Sequence, residues 1–473
     1  MLDTATKRRI DTARDILVGK VPDPKSQVEQ ITIALIYKFM DDMDAEAEEL
    51  GGKRKFFTGD FARYGWAKLM SAGIGGHELI GLYGEGITTM PQNPGIPALF
   101  RDIFKNAYLP YRDPETLKSF LKIIDEFSYD HSERLGDAFE YLLSVLGSQG
   151  DAGQFRTPRH IIDFIVAVID PKKHETVLDP ACGTGGFLVE AYRHLEKQCK
   201  TVQDRKTLQT QSILGSEAKS LPYLLAQMNL LLHGLESPQI DPGNSLRVPL
   251  KEIGDRDRVD IILTNPPFGG EEERGIRSNF PEDKQTSETA LLFLQLIMRK
   301  LKRQPKPGRA GVVVPNGTLF GDGVCARIKE ELLKDFNLHT IVRLPNGVFA
   351  PYTSIPTNLL FFDRSGPTKE VWYYEHKLPE GKKNYTKTRP LQYDEFAPCL
   401  AWWKKREENE RAWKVPASEI LTNGCNLDRK NPRGKEDITH LPPEQLVESI
   451  ITKERRILEI MDEVKRLLEK GKA

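Results

Sequence analysis

The chain has 473 residues, enough for two or three domains, and its 68 basic side chains balance 68 acidic ones. A formal net charge of zero excludes a chain that grips nucleic acid through bulk charge, and leaves that grip to a local basic face or a partner. Five cysteines show no metal-ligand or disulfide spacing, and no apolar run approaches the roughly 18 residues of a membrane span; both suit a soluble, cytoplasmic protein with no membrane contact.

MLDTATKRRI, at the start, lacks the apolar core of a signal peptide. Residues 1 to about 45 show helical spacing, clearest in QITIALIYKFMDDMD. Glycines and PQNPG then predict turns between short elements up to residue 95. Helical patterns return over 98–109, over 114–127 with Leu117, Phe120, Leu121 and Ile124 in one stripe, and over 135–146. The expectation is an all-helical N-terminal domain over residues 1–150.

DAGQFRTPRH precedes another helix, with Thr157 as its cap and Pro158 in its first turn. From Thr176 onward strands and helices alternate: strand 177–178, a helix to about 198, a polar linker over 201–211 and strand 212–217. A helix through Leu232, strand 259–264, helix 287–301, strand 311–314, helix 324–334 and strands 339–344 and 358–362 follow. This predicts an α/β, Rossmann-like domain over 151–370, mostly parallel with helices on both faces. Residues 371–442 are expected to form an irregular extension. From 443 to 470 one long helix is expected, with Ile450, Ile457, Val464, Met461 and Leu468 spaced as in a coiled coil, and a partner chain is its preferred contact.

Two stretches carry chemistry. TVLDPACGTGGFLVE, 176–190, is a strand, a glycine-rich turn and a helix start, which builds a small-molecule pocket at a strand end. Asp179 ends the strand, where a carboxylate can pair with an amino group. Glu217 ends the next strand, where an acid can accept both hydroxyls of a ribose. The glycines are neither GxGxxG nor GxxxxGK[ST], so an adenosyl cofactor is favoured over a nicotinamide or a nucleoside triphosphate.

IILTNPPFGG, 261–270, ends a strand in Asn265-Pro266-Pro267-Phe268. Two prolines stiffen this corner and keep Asn265 out of the helical region. The Asn265 side-chain oxygen and the Pro266 carbonyl can accept from one planar amino group, and Phe268 offers a flat wall for its ring. Held in this way, an exocyclic amine has its lone pair pushed out of conjugation and becomes nucleophilic without a strong base.

Together with LGDAFEYLLSVL, GQFRTPRHII, LDPACGTGGFLVEA, SILGSEAKSLPYLLAQMNLLLHG, GNSL, GRAGVVVPNGTLF and RLPNGVFAPYTSIPTNLLFF, in that order over roughly 130–363, these stretches make the chain resemble a known family. It is the modification (M) subunits of type I restriction–modification systems, which are S-adenosylmethionine-dependent DNA adenine-N6 methyltransferases. The resemblance implies that Phe155, Thr157, Pro158, Asp179, Ala181, Gly183, Thr184, Gly185, Glu217, Asn244 and Ser245 bind S-adenosyl-L-methionine. It implies that Asn265, Pro266, Pro267 and Phe268 clamp a flipped-out adenine of double-stranded DNA, with no metal. It further implies a separate specificity (S) subunit flanked by two M chains, and in some systems a restriction (R) subunit. Two departures stand out. Arg156 replaces a frequent aromatic, and Asn244 replaces a frequent aspartate that would meet the cofactor's adenine amino group; asparagine can accept that bond more weakly.

Other acceptors stay open on the residues alone, because an NPP turn also serves methyltransferases of RNA bases or protein glutamine amides. An inactive structural subunit is a further alternative. No zinc finger or helix-turn-helix pattern suggests a sequence reader, no Walker motif is present, and Arg and Lys look scattered rather than clustered.

Overall fold

The computed structural model describes residues 4–127, 141, 157–433 and part of 451–461, save positions 50, 97, 351, 352, 354, 380, 383, 387, 388, 452 and 456. The chain divides into a unit Met1–Arg429 and a second unit Lys430–Ala473.

The N-terminal region is helical, as its periodicity predicts. Its main helices are Thr4–Leu17, Pro24–Glu49, Gly76–Thr89, Ala98–Phe104 and Pro114–Asp125. In the last of these, Asp113 caps the first turn, accepting from the Glu115 N–H, and Pro114 follows it. Leu117, Phe120, Leu121 and Ile124 are fully buried, each worth roughly 1.5–3 kcal/mol relative to exposure. The Gly76–Thr89 helix corrects the expectation of turns over 46–95. Its glycines weaken the local signal, yet one of them lets the helix pack closely: a Cβ on Gly86 would lie 2.4 Å from the hydroxyl of buried Tyr37. The helix expected over 135–146 lies outside the described residues apart from Tyr141.

Among the described residues the sheet has nine strands: β1 Val177–Asp179, β2 Ile213–Ser216, β3 Gln239–Asp241, β4 Ile261–Thr264, β5 Arg309–Pro315, β6 Asn337–Arg343, β7 Thr357–Asp363, β8 Glu370–Glu375 and β9 Ala412–Pro416. Their order is β3-β2-β1-β4-β5-β7-β6-β8-β9. Pairing is parallel from β3 through β5 and between β6 and β8. It is antiparallel where β7 inserts between β5 and β6, and between β8 and β9. Successive strands are added outward in opposite directions on the two sides of the β1/β4 boundary, although β1 and β4 run parallel, and ligands of open α/β sheets bind at the carboxyl ends beside such a switch point.

Two further expectations need correction. The 201–211 stretch is no linker: Thr201 caps a helix, Val202–Thr207, through a reciprocal bond with Asp204, and a π-turn Leu208–Ser212 leads into β2. The irregular extension expected over 371–442 carries two strands, since β8 and β9 lengthen the sheet beyond residue 370, and residues 434–442 lie outside the described residues. Its tryptophans and tyrosines are strand formers that pack across the pair, as Tyr373 stacks on Trp413 at 5.3 Å. Arg258 and Arg364 both donate to carbonyls near the end of helix Thr289–Lys300. Burial and the charges of Arg258, Arg303 and Arg299 hold the Arg364 pKa down to about 10.

In the second unit, described residues between 451 and 461 are helical, and Ile451, Ile457, Leu458, Ile460 and Met461 are exposed there. The rest of the predicted 443–470 helix lies outside the described residues. No helix among the described residues is long and apolar enough to cross a membrane.

Candidate active site

Asp179 ends β1 at the centre of the parallel half of the sheet and is 1% exposed. Its Oδ1 accepts from the Thr264 hydroxyl at 2.6 Å and from the Ala181 N–H at 3.1 Å. Burial is the main influence on its carboxyl, outweighing both bonds, and the Glu217 charge adds to it; the pKa is pushed up to about 7. The neighbours that act on it are a hydroxyl, a backbone N–H and another carboxylate, rather than a cation. Such a group suits a ligand that brings its own positive charge.

After Asp179 the chain turns sharply. Gly183 and Gly185 have φ of 54° and 80°, the left-handed region that favours glycine, and Gly185 caps the Gly186–Glu196 helix. A Cβ on Gly186 would lie 2.9 Å from Ile162 Cδ1, so the loop also lies tight against the Arg159–Ile169 helix. Glu217 follows β2 and reaches the same loop. Its carboxylate accepts from the Gly183 N–H at 3.0 Å and from the Lys219 N–H at 2.9 Å, and burial raises its pKa. The Ser245 hydroxyl donates to the Pro180 carbonyl at 2.7 Å, which brings the turn after β3 onto the end of β1. β3 itself was not predicted, because a strand of three residues leaves almost no periodic signal. The structure thus brings together Asp179, Ala181, Gly183, Thr184, Gly185, Glu217 and Ser245 around the ends of β1, β2 and β3.

Asn244 has its oxygen committed to the Leu246 N–H at 2.9 Å, capping a short helical turn, and its amide donates to Glu272 at 3.4 Å. The carboxylate that the sequence lacks at position 244 is therefore present beside it, on the loop that follows the NPPF turn. Glu272 escaped the sequence reading, because only folding brings it across 28 residues to Asn244.

Asn265 stands at the end of β4, next to β1. Its amide donates to the Thr157 hydroxyl at 2.9 Å, while its side-chain oxygen is buried with no hydrogen-bond partner. Thr157 is 8% exposed and is not the helix cap expected of it: the cap position falls to Pro158, without a side-chain bond. The Thr157 hydroxyl instead fixes the amide that the NPPF turn presents. Pro266 is buried, Pro267 exposed and Phe268 half-buried, with the Phe268 ring 6.0 Å from Phe349 in an edge-on contact. Phe155 lies outside the described residues. Among the described residues no cluster of His, Cys, Asp or Glu could hold a metal ion.

Comparison with known proteins identifies the family. The family model for N-6 DNA methylase matches residues 130–440. The methylase subunit of the type I restriction enzyme EcoEI of Escherichia coli is 44% identical over 427 residues, covering 86% of each chain. The EcoKI methylase subunit of Escherichia coli K12 is 31% identical over 325 residues, covering 63% of this chain and 60% of that one. Among solved structures, a modification subunit attributed to a type I restriction enzyme of Vibrio vulnificus YJ016 superimposes with a TM-score of 0.78. It has 47% identity and covers 93% of this chain and 99% of its own. A chain from a study of assembly and conformational transition in the type I restriction–modification system also scores 0.78, with 35% identity and 99% of both chains covered.

Proposed function

Because the chain belongs to the N-6 DNA methylase family, as the modification subunit of a type I restriction–modification system, we propose that it binds S-adenosyl-L-methionine along the ends of β1–β3 and methylates N6 of a flipped-out adenine at the end of β4. The observation that carries this reading is the buried Asn265 side-chain oxygen without a partner, on an amide already fixed by Thr157. A polar atom left in that state costs stability unless a ligand satisfies it, and an adenine amino group supplies the missing donor.

The residues fit the cofactor. Asp179 would hold its methionine amino group, the glycine loop would let the backbone approach it, and Glu217, already reaching the loop through the Gly183 N–H, would accept its ribose hydroxyls. When bound, S-adenosyl-L-methionine supplies a methyl group on a positively charged sulfur. The chain's own contribution is position. Asn265 and the Pro266 carbonyl accept the two amino hydrogens of the adenine, which turns the nitrogen lone pair outward. Phe268, braced by Phe349, stacks on its ring. Transfer is direct, and the nitrogen sheds its proton once the methyl group is in place.

The partners are double-stranded DNA, a specificity subunit that selects the sequence, and in complete systems a restriction subunit. Two modification subunits would flank one specificity subunit. The exposed apolar residues between Ile451 and Met461 are the surface we assign to that contact.

Methyl transfer from labelled S-adenosylmethionine to unmethylated duplex DNA, with and without the specificity subunit, tests the reading. N6-methyladenine formed only with the partner, and lost in Asn265→Ala, is the expected result. Cofactor binding with no transfer to DNA in the complete complex would overturn it.

A further inference from the structure

One polar side chain near the site has no role so far. Asn229 lies in the Ser220–Leu232 helix and is fully buried. Its amide donates to the Thr184 carbonyl at 3.0 Å, in the middle of the glycine loop, and its own oxygen is buried with no hydrogen-bond partner. One turn earlier on the same face, Ala226 lies against the loop: a Cβ on Gly185 would lie 3.4 Å from it. Ala226 and Leu230 belong to the core beneath the sheet.

The other face of this helix goes elsewhere. Leu225, Met228 and Leu232, at helical spacing, are buried in the core of the N-terminal helices, together with Tyr37, Phe104 and Phe120. Helix Ser220–Leu232 is thus shared: it is part of the N-terminal core on one side and holds the cofactor loop on the other. Adjacent residues, Met228 and Asn229, serve the two sides. A rigid helix transmits a displacement from one face to the other, because close-packed cores do not absorb it.

We propose that Asn229 is a positioning residue for the cofactor loop, and that through its helix the packing of the N-terminal helices sets cofactor affinity. The inference rests on the reading of the glycine loop as the cofactor site. The amide of Asn229 pins Thr184 and keeps Gly183 and Gly185 in their left-handed conformations, so that the Gly183 N–H stays on Glu217. By linkage, any repacking of the N-terminal helices reaches this loop, and cofactor binding in turn favours one arrangement of those helices.

The test uses the purified full chain and S-adenosylhomocysteine as probe, with calorimetric affinity and amide hydrogen exchange as readouts. Asn229→Ala is expected to weaken binding about tenfold and to speed exchange at Thr184–Phe187, at temperatures where the variant remains folded. Asn229→Ser, with a hydroxyl too short to reach Thr184, should do the same and replaces the alanine variant if that one fails to fold. Met228→Ala, which touches only the N-terminal side, should weaken binding about threefold. A lower melting temperature with unchanged affinity and loop exchange in the Asn229 variants would reduce Asn229 to a structural role and overturn the proposal. Unchanged affinity in Met228→Ala would overturn the link to the N-terminal core. A wild-type chain that binds no probe would instead overturn the assignment of the loop as the cofactor site, and this inference with it.

Discussion

The Asn265 amide donates to the Thr157 hydroxyl at 2.9 Å, across 108 residues of chain. This bond decides which end of the Asn265 side chain faces the substrate, because it consumes a donor and leaves the oxygen open. Thr264, one residue earlier, donates to Asp179 at 2.6 Å. On the proposed assignment, neighbouring residues of one strand end hold the cofactor side and the target side of the site.

Thr157→Val keeps shape and burial but removes the acceptor. The amide then loses its anchor, and single-turnover methylation by the complete complex should slow about five- to thirtyfold, equivalent to about 1–2 kcal/mol. Affinity for S-adenosylhomocysteine should stay within about twofold, since Asp179 and Glu217 are untouched. A larger loss of cofactor affinity than of rate would show that Thr157 serves the cofactor instead.

On the proposed pairing of Asp179 with the cofactor's amino group, cofactor binding should depend on pH. Its carboxyl is held up to about 7 by burial, and a cationic amino group stabilises only the ionised form. Binding therefore releases a proton below that pH, and affinity should climb as pH rises towards about 7 and then level off. Titration calorimetry in buffers of different ionisation enthalpy measures the released proton directly. Stability of the ligand-free chain runs the other way. The unfolded carboxyl ionises near about 3.9, so the folded state holds the extra proton between there and its own value. This group's contribution is thus fully present below about 3.9 and is lost as pH rises through the folded value. Asp179→Asn should abolish both dependences.

Asn244→Asp restores the aspartate frequent in the family, but here it would place a second carboxylate 3.4 Å from Glu272. We expect the single variant to bind S-adenosylhomocysteine about fivefold more weakly, equivalent to about 1 kcal/mol of like-charge repulsion near solvent. Adding Glu272→Gln should recover the loss. Additive effects in this double-mutant cycle would show that the two side chains do not interact.

Gly185→Ala puts a side chain at φ 80°, and the left-handed conformation costs about 1–2 kcal/mol for an L-residue. Its Cβ would also meet Ala226 at 3.4 Å. Urea unfolding of the isolated chain should show a stability loss of about that size, about 1–2 kcal/mol, accompanied by weaker cofactor binding. Full stability in the variant would mean that the loop tolerates another conformation.

Much of this protein was legible in local pattern. The strand–glycine–helix unit at 176–190 and the double proline at 266–267 restrict the backbone by covalent geometry alone, so the pocket and the stiff corner could be read before any packing was known. Stripes such as Leu117, Phe120, Leu121 and Ile124 announced their helix for a similar reason, since one face had to be buried. Short or composition-masked elements were not legible: β3 is too brief for a period, glycines hid the helix Gly76–Thr89, and the lysines and turn residues between β8 and β9 hid that pair. Tertiary structure alone decided the pairs that set the chemistry, namely Asn265 with Thr157, Asn244 with Glu272, and Asn229 with Thr184. Each joins residues far apart in the chain through single hydrogen bonds about 3 Å long, and no periodicity encodes a bond of that kind.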